Sequence, residues 1–286
     1  MMKIDLHTHS TFSDGTDTPT MLVANAQKAG VGVVALCDHD TFDGLSEAME
    51  MGRRIGVRVI PGIEISACSG EDSVHLLGYG TDIHNADLLG ELSKCLKSRQ
   101  ERIPQIVSKL TEEGIKISVE DVQEKAAGNS IGRPHVADAM VAAGYVKHRN
   151  EAFEKYLAYG KPAYVGRYEI PVEKAIDLVH SAGGAAVLAH PLIKGRGENI
   201  STELIEKLTL ENGLDGIEVD HPEQDNVSRD LLRQLGHRLG LMRTGGSDYH
   251  GTGKIGHGLG SETTRHSALQ GLVTRIRSHG GKISVL

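Results

Sequence analysis

The stretch Lys3-Ile4-Asp5-Leu6-His7-Thr8-His9-Ser10 opens a chain in which predicted strands repeatedly end in polar side chains. Its alternating apolar residues predict a short β-strand, and two histidines stand where that strand ends. Side chains two positions apart on a strand share a face, so His7 and His9 are expected to point the same way. Two imidazoles side by side are half of a metal site, and the other half has to come from elsewhere in the chain.

Further apolar runs along the chain predict six more strands, at 33–37, 57–63, 75–79, 185–189, 216–219 and 241–244. Helical periodicity separates most of them, and no hairpin-turn signal stands between them, which predicts parallel βαβ units. Seven strands of one kind, each ending in polar residues, favour a closed or nearly closed parallel barrel over a doubly wound sheet. The functional groups of such barrels lie at the carboxyl ends of the strands.

A helical block interrupts this alternation. A long charged helical stretch at 87–113, followed by further helical segments, predicts a helical substrate-binding subdomain at 99–165, inserted between barrel segments 1–98 and 166–286. Residues 94–170 hold 13 Lys+Arg and 10 Asp+Glu, a net charge of +3, whereas the whole chain of 286 residues has a net charge of −7. A mildly basic insertion suits an anionic substrate, and an ordinary solvated helical surface explains the charge equally well.

Composition excludes several functional classes. The negative net charge argues against a general nucleic-acid coat, and an aromatic content of 3% without tryptophan disfavours a base-stacking platform. Three cysteines without a Cys-x-x-Cys spacing, Cys37, Cys68 and Cys95, predict reduced thiols in a cytoplasmic protein. The sequence shows no leader and no membrane-spanning apolar run, so no membrane association is expected. No obligatory protein partner is evident.

Histidine, aspartate and glutamate stand at or near six of the predicted strand ends. The residues are His7, His9, Asp14, Asp38, His39, Glu64, His75, His190, Asp248 and His250. A barrel would bring them to one rim, where so many buried imidazoles and carboxylates require bound cations. Nitrogen and oxygen ligands without thiolate fit Zn²⁺, Mn²⁺ or Fe²⁺. The ligands are too many for one ion, so two or three divalent ions are expected, with Glu64 as the bridging carboxylate.

These motifs, His7-x-His9, Asp38-His39, Ala189-His190-Pro191 and Asp248-x-His250 among them, resemble the PHP (polymerase and histidinol phosphatase) family. The resemblance implies an α/β fold, a distorted (β/α)7 barrel with a trinuclear metal site. It implies that one ion is held by His7, His9, Glu64 and Asp248, a second by Asp14, His39 and His250, and a third by Glu64, His75 and His190. Some family members have histidine where this chain has Asp14, so the metal at that position stays open. Asp38 is expected to orient an imidazole rather than to bind metal.

Clustered divalent ions favour phosphoester hydrolysis by a metal-bridging hydroxide, with His190, Asp248 and His250 acting catalytically through the bound metals. Either His190 or His221 could assist the leaving alcohol, and the sequence does not choose between them.

For the substrate phosphate, the motif Gly132-Arg133-Pro134-His135 places two candidates, Arg133 and His135, where a helix begins. Helix capping or a surface ion pair is the alternative role for Arg133. Lys161 is a weaker substrate-binding candidate. His221 is a fourth candidate, facing either the substrate or a metal ligand.

Within the family, the helical insertion resembles a subgroup that acts on nucleotides. The resemblance implies a small nucleotide substrate, a nucleoside 3′,5′-bisphosphate cleaved to phosphate and a mononucleotide such as AMP, with short 5′-phosphorylated RNA as a further substrate. Histidinol phosphatase is the alternative enzyme, and a non-catalytic PHP scaffold is the alternative of another class. A hydrolase of C–N bonds would usually have a carboxylated lysine as its bridge, where this chain has Glu64.

Overall fold

The computed structural model describes residues 2–126, 128, 130–193 and 200–283. Within these residues, eight strands and ten α-helices are formed. The strands are β1 (Lys3–Thr8), β2 (Val31–Leu36), β3 (Arg58–Ser69), β4 (Asp72–Tyr79), β5 (Ile170–Pro171), β6 (Ala185–Leu188), β7 (Gly216–Asp220) and β8 (Met242–Gly245). The helices are α1 (Pro19–Lys28), α2 (Leu45–Ile55), α3 (Ala86–Glu112), α4 (Val119–Gln123), α5 (Arg133–Ala142), α6 (Arg149–Ala152), α7 (Val172–Ser181), α8 (Thr202–Asn212), α9 (Asn226–Leu239) and α10 (His266–Ser278).

One sheet carries the strands in the order β1-β2-β3-β4-β6-β7-β8, and the two-residue strand β5 pairs with β3 beside this path. Neighbours are parallel in β1-β2-β3 and again in β6-β7-β8. After β8, Tyr249 forms an isolated parallel bridge with Thr8 at the end of β1, and the backbone nitrogen of His9 donates to the Tyr249 carbonyl. The first and last strands of the path therefore meet at their carboxyl ends.

The expectation of an all-parallel sheet was wrong for β4, which runs antiparallel to both β3 and β6. The connection from β3 to β4 is a tight hairpin in which Gly70 has a φ of +62°. A two-residue turn leaves no room for a crossover helix, so the strand that follows must reverse direction. The two turn residues are Gly70 and Glu71, a weaker hairpin signal than Asn-Gly or Asp-Gly.

Two ligand positions also differ from the expected strand ends. Strand β3 continues past Glu64 to Ser69, and His75 lies within β4 opposite Ser66. Glu64 lies just beyond the last pair of β2 and β3, Leu36 with Pro61, and forms an isolated parallel bridge with His39. The antiparallel hairpin therefore extends above the rim and presents Glu64 and His75 from its inner face.

The barrel interior is filled by alternate apolar residues from β1, β2, β4 and β6, among them Leu6, Val33, Leu77 and Val187. Tyr79 is fully buried there, and its hydroxyl donates to the Leu6 carbonyl at 2.8 Å. Helix α10 packs its own apolar residues against the same cluster and covers the amino-terminal end of the strands. We call this end the floor and the opposite end the rim.

The helical block between β4 and β5 has an apolar core of its own, formed by residues such as Ile106, Val122, Met140 and Leu157. Helix α3 runs without interruption from Ala86 to Glu112, so it belongs to both the barrel wall and the block. The subdomain boundaries at 99 and 165 stay a prediction. The side chain of Arg149 joins the block to the rim, because its Nη1 donates to the Asp14 carbonyl at 2.8 Å.

Local signals account for several helix ends. Thr18 caps α1 through its hydroxyl, which accepts from the backbone nitrogen of Met21, with Pro19 at the first helical position as predicted.

Cys37, Cys68 and Cys95 are free thiols. No helix within the described residues combines the length and the hydropathy that crossing a membrane requires.

Candidate metal centre

Glu64 lies at the centre of a buried cluster of imidazoles and carboxylates on the rim. Five imidazoles have a nitrogen within 3.3 Å of its two carboxylate oxygens: His7, His9, His39, His75 and His190. The Glu64 side chain is 1% exposed, so water does not screen these contacts. The β1 end, the β2 end, the β3-β4 hairpin and the β6 end each supply part of this cluster.

Two further carboxylates join the same cluster. The Oδ1 atom of Asp248 is 3.3 Å from Nε2 of His9 and 3.6 Å from Nε2 of His7. The Oδ1 atom of Asp14 is 3.1 Å from Nε2 of His250, and its Oδ2 is 3.7 Å from Nε2 of His39. All nine residues that the sequence predicts as metal ligands are thus brought together at one end of the barrel.

The donor atoms fall into groups compact enough to surround ions. Each group has its donors within 4.8 Å of one another, and the groups on the rim include His7-His9-Glu64-Asp248, His9-Asp14-His39-His250 and His39-Glu64-His75. Ligands about 2.1 Å from a tetrahedral ion lie roughly 3.4 Å apart, which matches the nitrogen–oxygen distances given above. The ligand assignment itself stays a prediction, supported by this geometry.

The hydrogen bonding of His250 and His7 provides a test of whether cations fit here. Nδ1 of His250 lies 2.8 Å from the Asp248 carbonyl oxygen, which can only accept, so Nδ1 carries the proton and Nε2 faces Asp14 with its lone pair. Nδ1 of His7 lies 3.0 Å from a carboxylate oxygen of Glu218, which leaves Nε2 to face Glu64. A lone pair opposite a carboxylate is repulsive unless a cation lies between them. Burial acts to lower the pKa of His7, but Glu218, Glu64 and Asp248 raise it well above its usual value, so this position attracts a proton or a metal ion. These residues therefore fit divalent ions.

Three nitrogens of the cluster, counting Nε2 of His7 again, support the same conclusion. Nε2 of His7, Nε2 of His9 and Nδ1 of His39 are buried and make no hydrogen bond, although carboxylate oxygens lie 3.1–3.6 Å away. Buried polar atoms without a hydrogen bond are costly and rare. Their convergence on one space indicates that the space is built for ligand bonds to metal.

The carboxylates on the rim are held in their charged form. Burial acts to raise the pKa of Glu64, but the imidazoles of His75, His39 and His7 keep it well below its usual value. Burial likewise opposes ionisation of Asp248, whose pKa the nearby Lys254, His250 and His7 nevertheless hold well below normal. Anionic oxygens are the form that binds a divalent cation.

Glu218 is a functional residue that the sequence interpretation missed. It is fully buried in β7, accepts from Nδ1 of His7, and accepts from the backbone nitrogen of His190 at 3.1 Å. A carboxylate behind a metal-binding imidazole fixes its tautomer and raises its basicity. Ile217 and Val219 point to the outer core, so the strand period of two would have placed Glu218 inside the barrel.

Asp38 is connected to the His9 imidazole through the Ser13 hydroxyl and not by a direct hydrogen bond. It accepts from the Ser10 hydroxyl and from the Ser13 hydroxyl, each at 2.6 Å, and the Ser13 oxygen is 3.5 Å from Nδ1 of His9. The predicted orienting role would therefore act through Ser13. That role stays a prediction.

His221 is buried beside Asp248, with Nε2 3.1 Å from Oδ2 of that carboxylate. Its Nδ1 accepts from the backbone nitrogen of Glu223, so Nε2 carries the proton and donates to Asp248. Burial, partly offset by the hydrogen bond to Asp248, lowers the pKa of His221 to about 4. Both nitrogens are occupied, which favours orienting Asp248 over touching the substrate. The predicted substrate contact remains untested.

The remaining predicted substrate residues lie in the helical block. Arg133 donates through Nη1 to the Leu157 carbonyl at 3.1 Å, and its Cζ lies 5.5 Å from the ring centroids of Phe153 and Tyr164. His135 is buried and accepts at Nδ1 from the backbone nitrogen of Gly132. Lys161 is exposed. The structure brings Arg133, but not Lys161, into a group of buried side chains.

Backbone conformation also marks the rim. Among the described residues, three non-glycine residues have a positive φ: Asp40 at 59°, His190 at 29° and Asp248 at 50°. Left-handed conformations of such residues cost free energy and persist where the surroundings impose them, commonly at functional sites. All three lie directly in or beside the metal cluster.

Comparison with known proteins agrees with this geometry. A family model described as the PHP domain matches residues 5–162 of the chain. A 5′-3′ exoribonuclease of Haemophilus influenzae is 35% identical over 251 residues, covering 87% of this chain and 90% of the relative. A 3′,5′-nucleoside bisphosphate phosphatase of Chromobacterium violaceum is 35% identical over 264 residues, covering 91% of each chain.

A third relative carries a different activity. A phosphoribosyl 1,2-cyclic phosphate 1,2-diphosphodiesterase of Eggerthella lenta is 35% identical over 260 residues, covering 88% of this chain and 96% of the relative. Among solved structures, a protein of Bifidobacterium adolescentis assigned as a metal-dependent phosphoesterase superimposes with a TM-score of 0.92. The two are 34% identical, and the match covers 96% of each chain. These proteins share phosphoester chemistry and differ in substrate.

Proposed function

Because this chain belongs to the PHP family and is a metal-dependent hydrolase of phosphoric esters, we propose that it removes one phosphate from a nucleoside 3′,5′-bisphosphate. The phosphate that is cleaved lies at the metal centre. The other lies against a cluster of four arginine side chains, which we call the arginine pocket. The products are inorganic phosphate and a mononucleotide such as AMP. The observation that carries the proposal is the charge of the arginine pocket.

At the metal centre, the nine rim residues hold two or three divalent ions of manganese, zinc or iron. When bound, such ions supply an activated water and neutralise the charge of the reacting phosphate. The residues of the chain position these ions: Glu218 holds the His7 ring, His221 holds Asp248, and the Asp248 carbonyl holds the His250 ring. These three ligands are thus each fixed by a second contact before substrate arrives.

The arginine pocket consists of Arg99, Arg102, Arg133 and Arg167. Arg99 and Arg102 are 5% and 4% exposed, and the Arg167 side chain is 6% exposed. In the described part of the chain, the carboxylates in contact with these guanidiniums are those of Asp40 and Glu169. Three buried guanidiniums and the half-buried guanidinium of Arg133 lie beside two carboxylates. They leave an excess of positive charge, which a phosphate would neutralise.

Individual contacts show where that excess lies. The Oδ2 atom of Asp40 accepts a hydrogen bond from Nε of Arg99 at 2.7 Å and lies 3.7 Å from Nη1 of Arg167. Among the described residues, no carboxylate pairs with Arg102: its Nη1 reaches the Val165 carbonyl at 3.5 Å, and its Nε has no hydrogen bond. Burial and the neighbouring Arg167, Arg133 and Arg99 guanidiniums hold the pKa of Arg102 well below its usual value.

The pocket adjoins the metal centre through shared backbone. Asp40 follows His39 directly, and its backbone nitrogen donates to the Glu64 carbonyl at 3.0 Å. Ser66, two residues after Glu64 on β3, accepts Nη2 of Arg99 at 2.8 Å. A Cβ placed on Gly132 would lie 3.2 Å from Nη1 of Arg99, so the amino-terminal end of α5 also borders the pocket. Helix ends of this kind favour phosphate.

Two phosphates on one small molecule therefore match two adjoining sites, one lined with metal ligands and one with arginines. Histidinol phosphate has one phosphate and leaves the pocket without a role. A short 5′-phosphorylated RNA would also place phosphates in both sites, so it remains a further substrate of the proposed enzyme. The cytoplasmic location inferred from the cysteines is part of the same proposal.

A phosphate-release assay with Mn²⁺ tests the assignment. It compares 3′-phosphoadenosine 5′-phosphate, AMP, histidinol phosphate, phosphoribosyl 1,2-cyclic phosphate and a short 5′-phosphorylated RNA. The cyclic phosphodiester is included because it is the substrate named for the Eggerthella lenta relative. The bisphosphate is expected to give the highest kcat/KM. Preference for histidinol phosphate or for the cyclic diester would overturn the proposal.

The variant Arg102→Met sharpens the test. It removes an uncompensated buried charge, so the free protein is expected to unfold at higher urea while KM for the bisphosphate rises at least about tenfold. Arg102→Lys, the matched control, keeps the charge and should lose less affinity. An unchanged KM in Arg102→Met would exclude the pocket as a phosphate site.

A further inference from the structure

Exposed tyrosines are concentrated in one part of the molecule. The chain has seven tyrosines, and five of them lie between residues 145 and 168, in the second half of the helical block and the segment that follows it. Three of the five are exposed: Tyr145, Tyr159 and Tyr168. The low aromatic content of the whole chain disfavours a base-stacking platform, but it conceals this local enrichment.

Tyr159 differs from the other two in what holds it. The Tyr145 hydroxyl accepts from the backbone nitrogen of Lys116 at 3.1 Å, and the Tyr168 hydroxyl donates to Glu91 at 2.6 Å. Within the described residues, the Tyr159 hydroxyl has no hydrogen-bond partner, and the side chain is 66% exposed. The fold therefore explains Tyr145 and Tyr168 and leaves the exposed ring of Tyr159 without a structural role.

The Tyr159 ring is nevertheless held in place. It packs edge-on against Tyr164, with ring centroids 5.3 Å apart and planes inclined by 72°. Gly160 follows with a φ of +75°, in a turn closed by a hydrogen bond from the Lys161 nitrogen to the Ala158 carbonyl. A rigid, exposed aromatic ring loses little entropy when it contacts a ligand.

This aromatic pair is continuous with the arginine pocket. The Tyr164 ring lies 5.5 Å from Cζ of Arg133, and the carbonyl of the next residue, Val165, contacts Arg102. Lys109 donates to the Tyr164 carbonyl at 2.8 Å, so the backbone here is fixed by cations on two sides. A ligand whose phosphate occupies the pocket would have its remaining atoms near this pair.

We propose that Tyr159, supported by Tyr164, is the platform on which the nucleobase of the substrate stacks. The inference rests on the proposed function, because it takes the arginine pocket as the site of the second phosphate. Base–aromatic stacking tolerates every base, since each has a π-face. The site therefore selects a nucleotide over a sugar bisphosphate without selecting one base.

The test compares a nucleoside 3′,5′-bisphosphate with ribose 3,5-bisphosphate, which has both phosphates and no base. Tyr159→Ala should lower kcat/KM for the nucleotide about tenfold and leave the base-free compound unchanged. Tyr159→Phe keeps the ring and should match the wild type. Tyr145→Ala removes an exposed ring elsewhere in the block and should not discriminate between the two substrates.

Equal effects of Tyr159→Ala on both compounds, or no effect on the nucleotide, would refute the platform while leaving the bisphosphate reaction intact. A wild-type enzyme that hydrolyses neither bisphosphate would instead refute the proposed function on which the platform depends. Measuring the wild type on both compounds first separates these two failures.

Discussion

Histidines and carboxylates cluster at both ends of the barrel, and the two clusters differ in how their nitrogens are satisfied. On the rim, Nε2 of His7 and of His9 face carboxylates without forming hydrogen bonds. On the floor, Nε2 of His180 lies 2.9 Å from Oδ2 of Asp215, and Nε2 of His279 lies 3.2 Å from its Oδ1. The floor cluster is a pair of complete hydrogen bonds, whereas the rim nitrogens have the arrangement of metal ligands.

The comparison shows that residue types alone do not identify a metal site. The floor group His180-Asp215-His279 has donor atoms within 4.8 Å of one another, as the rim groups do. However, each imidazole of the floor group donates to its own Asp215 oxygen, His180 to Oδ2 and His279 to Oδ1. Asp215 also accepts from the backbone nitrogen of Ala186. We interpret the floor cluster as a clamp that joins α7, β7 and the end of α10.

The largest effect should come from Glu64→Gln. The substitution removes the charge that faces five imidazoles, so bound metal should fall and kcat should drop at least about 10³-fold, because the bound ions supply several kcal/mol of transition-state stabilisation. Metal analysis and phosphate release measure the two effects. The matched floor variant His279→Gln should retain both metal and activity. Equal metal loss in the two variants would remove the distinction between the clusters.

Glu218→Gln should have an intermediate effect. It keeps the shape of the side chain but weakens the contact with His7, so metal affinity should fall about 10- to 100-fold while the fold is retained. Titration of the metal-free protein with Mn²⁺ measures this change. Wild-type affinity in the variant would show that Glu218 does not support the ligand.

Asp215→Asn should affect stability alone. Burial acts to raise the pKa of Asp215, but hydrogen bonds from His180, the Ala186 nitrogen and His279 lower it below 3.8. A lowered folded-state pKa stabilises the protein above about pH 3.8, and this stabilisation is lost as pH falls through the folded-state value. The variant should cost about 1–3 kcal/mol at pH 7.

Urea unfolding at pH 7, 5, 4 and 3 measures how the difference in unfolding free energy between wild type and Asp215→Asn depends on pH. The difference in unfolding free energy between wild type and Asp215→Asn should narrow below about pH 4, where Asp215 becomes protonated. A gap that does not change with pH would mean that the Asp215 charge contributes nothing to the clamp. Loss of metal in this variant would mean that the floor binds an ion after all.

The sequence was sufficient to predict most of the rim because its ligands follow strands at short distances. His9, His39, His190 and Asp248 lie within three residues of the ends of β1, β2, β6 and β8. Hydrophobic runs locate strands well, and parallel strands bring their ends together. The predicted strands and the cluster they carry were therefore recovered without knowing any contact.

Other features had a weak local signal, such as the strand period at Glu218, or none. Glu218 lies inside an apolar run, and the direction of β4 depends on a turn without the usual hairpin dipeptides. The arginine pocket draws on positions from 99 to 167 with no shared motif. The floor clamp requires His180 and His279 to meet across a close approach of Gly183 and Gly281, where a Cβ on Gly281 would collide with the Gly183 carbonyl.

The central claim is that the rim binds metal and the floor does not, and anomalous diffraction from crystals grown with Mn²⁺ tests it most directly. The account predicts two or three anomalous peaks on the rim, with peaks within about 2.5 Å of Glu64, Asp14 and Asp248 oxygens, and none beside Asp215. A peak between His180 and His279, or a rim without peaks, would contradict it.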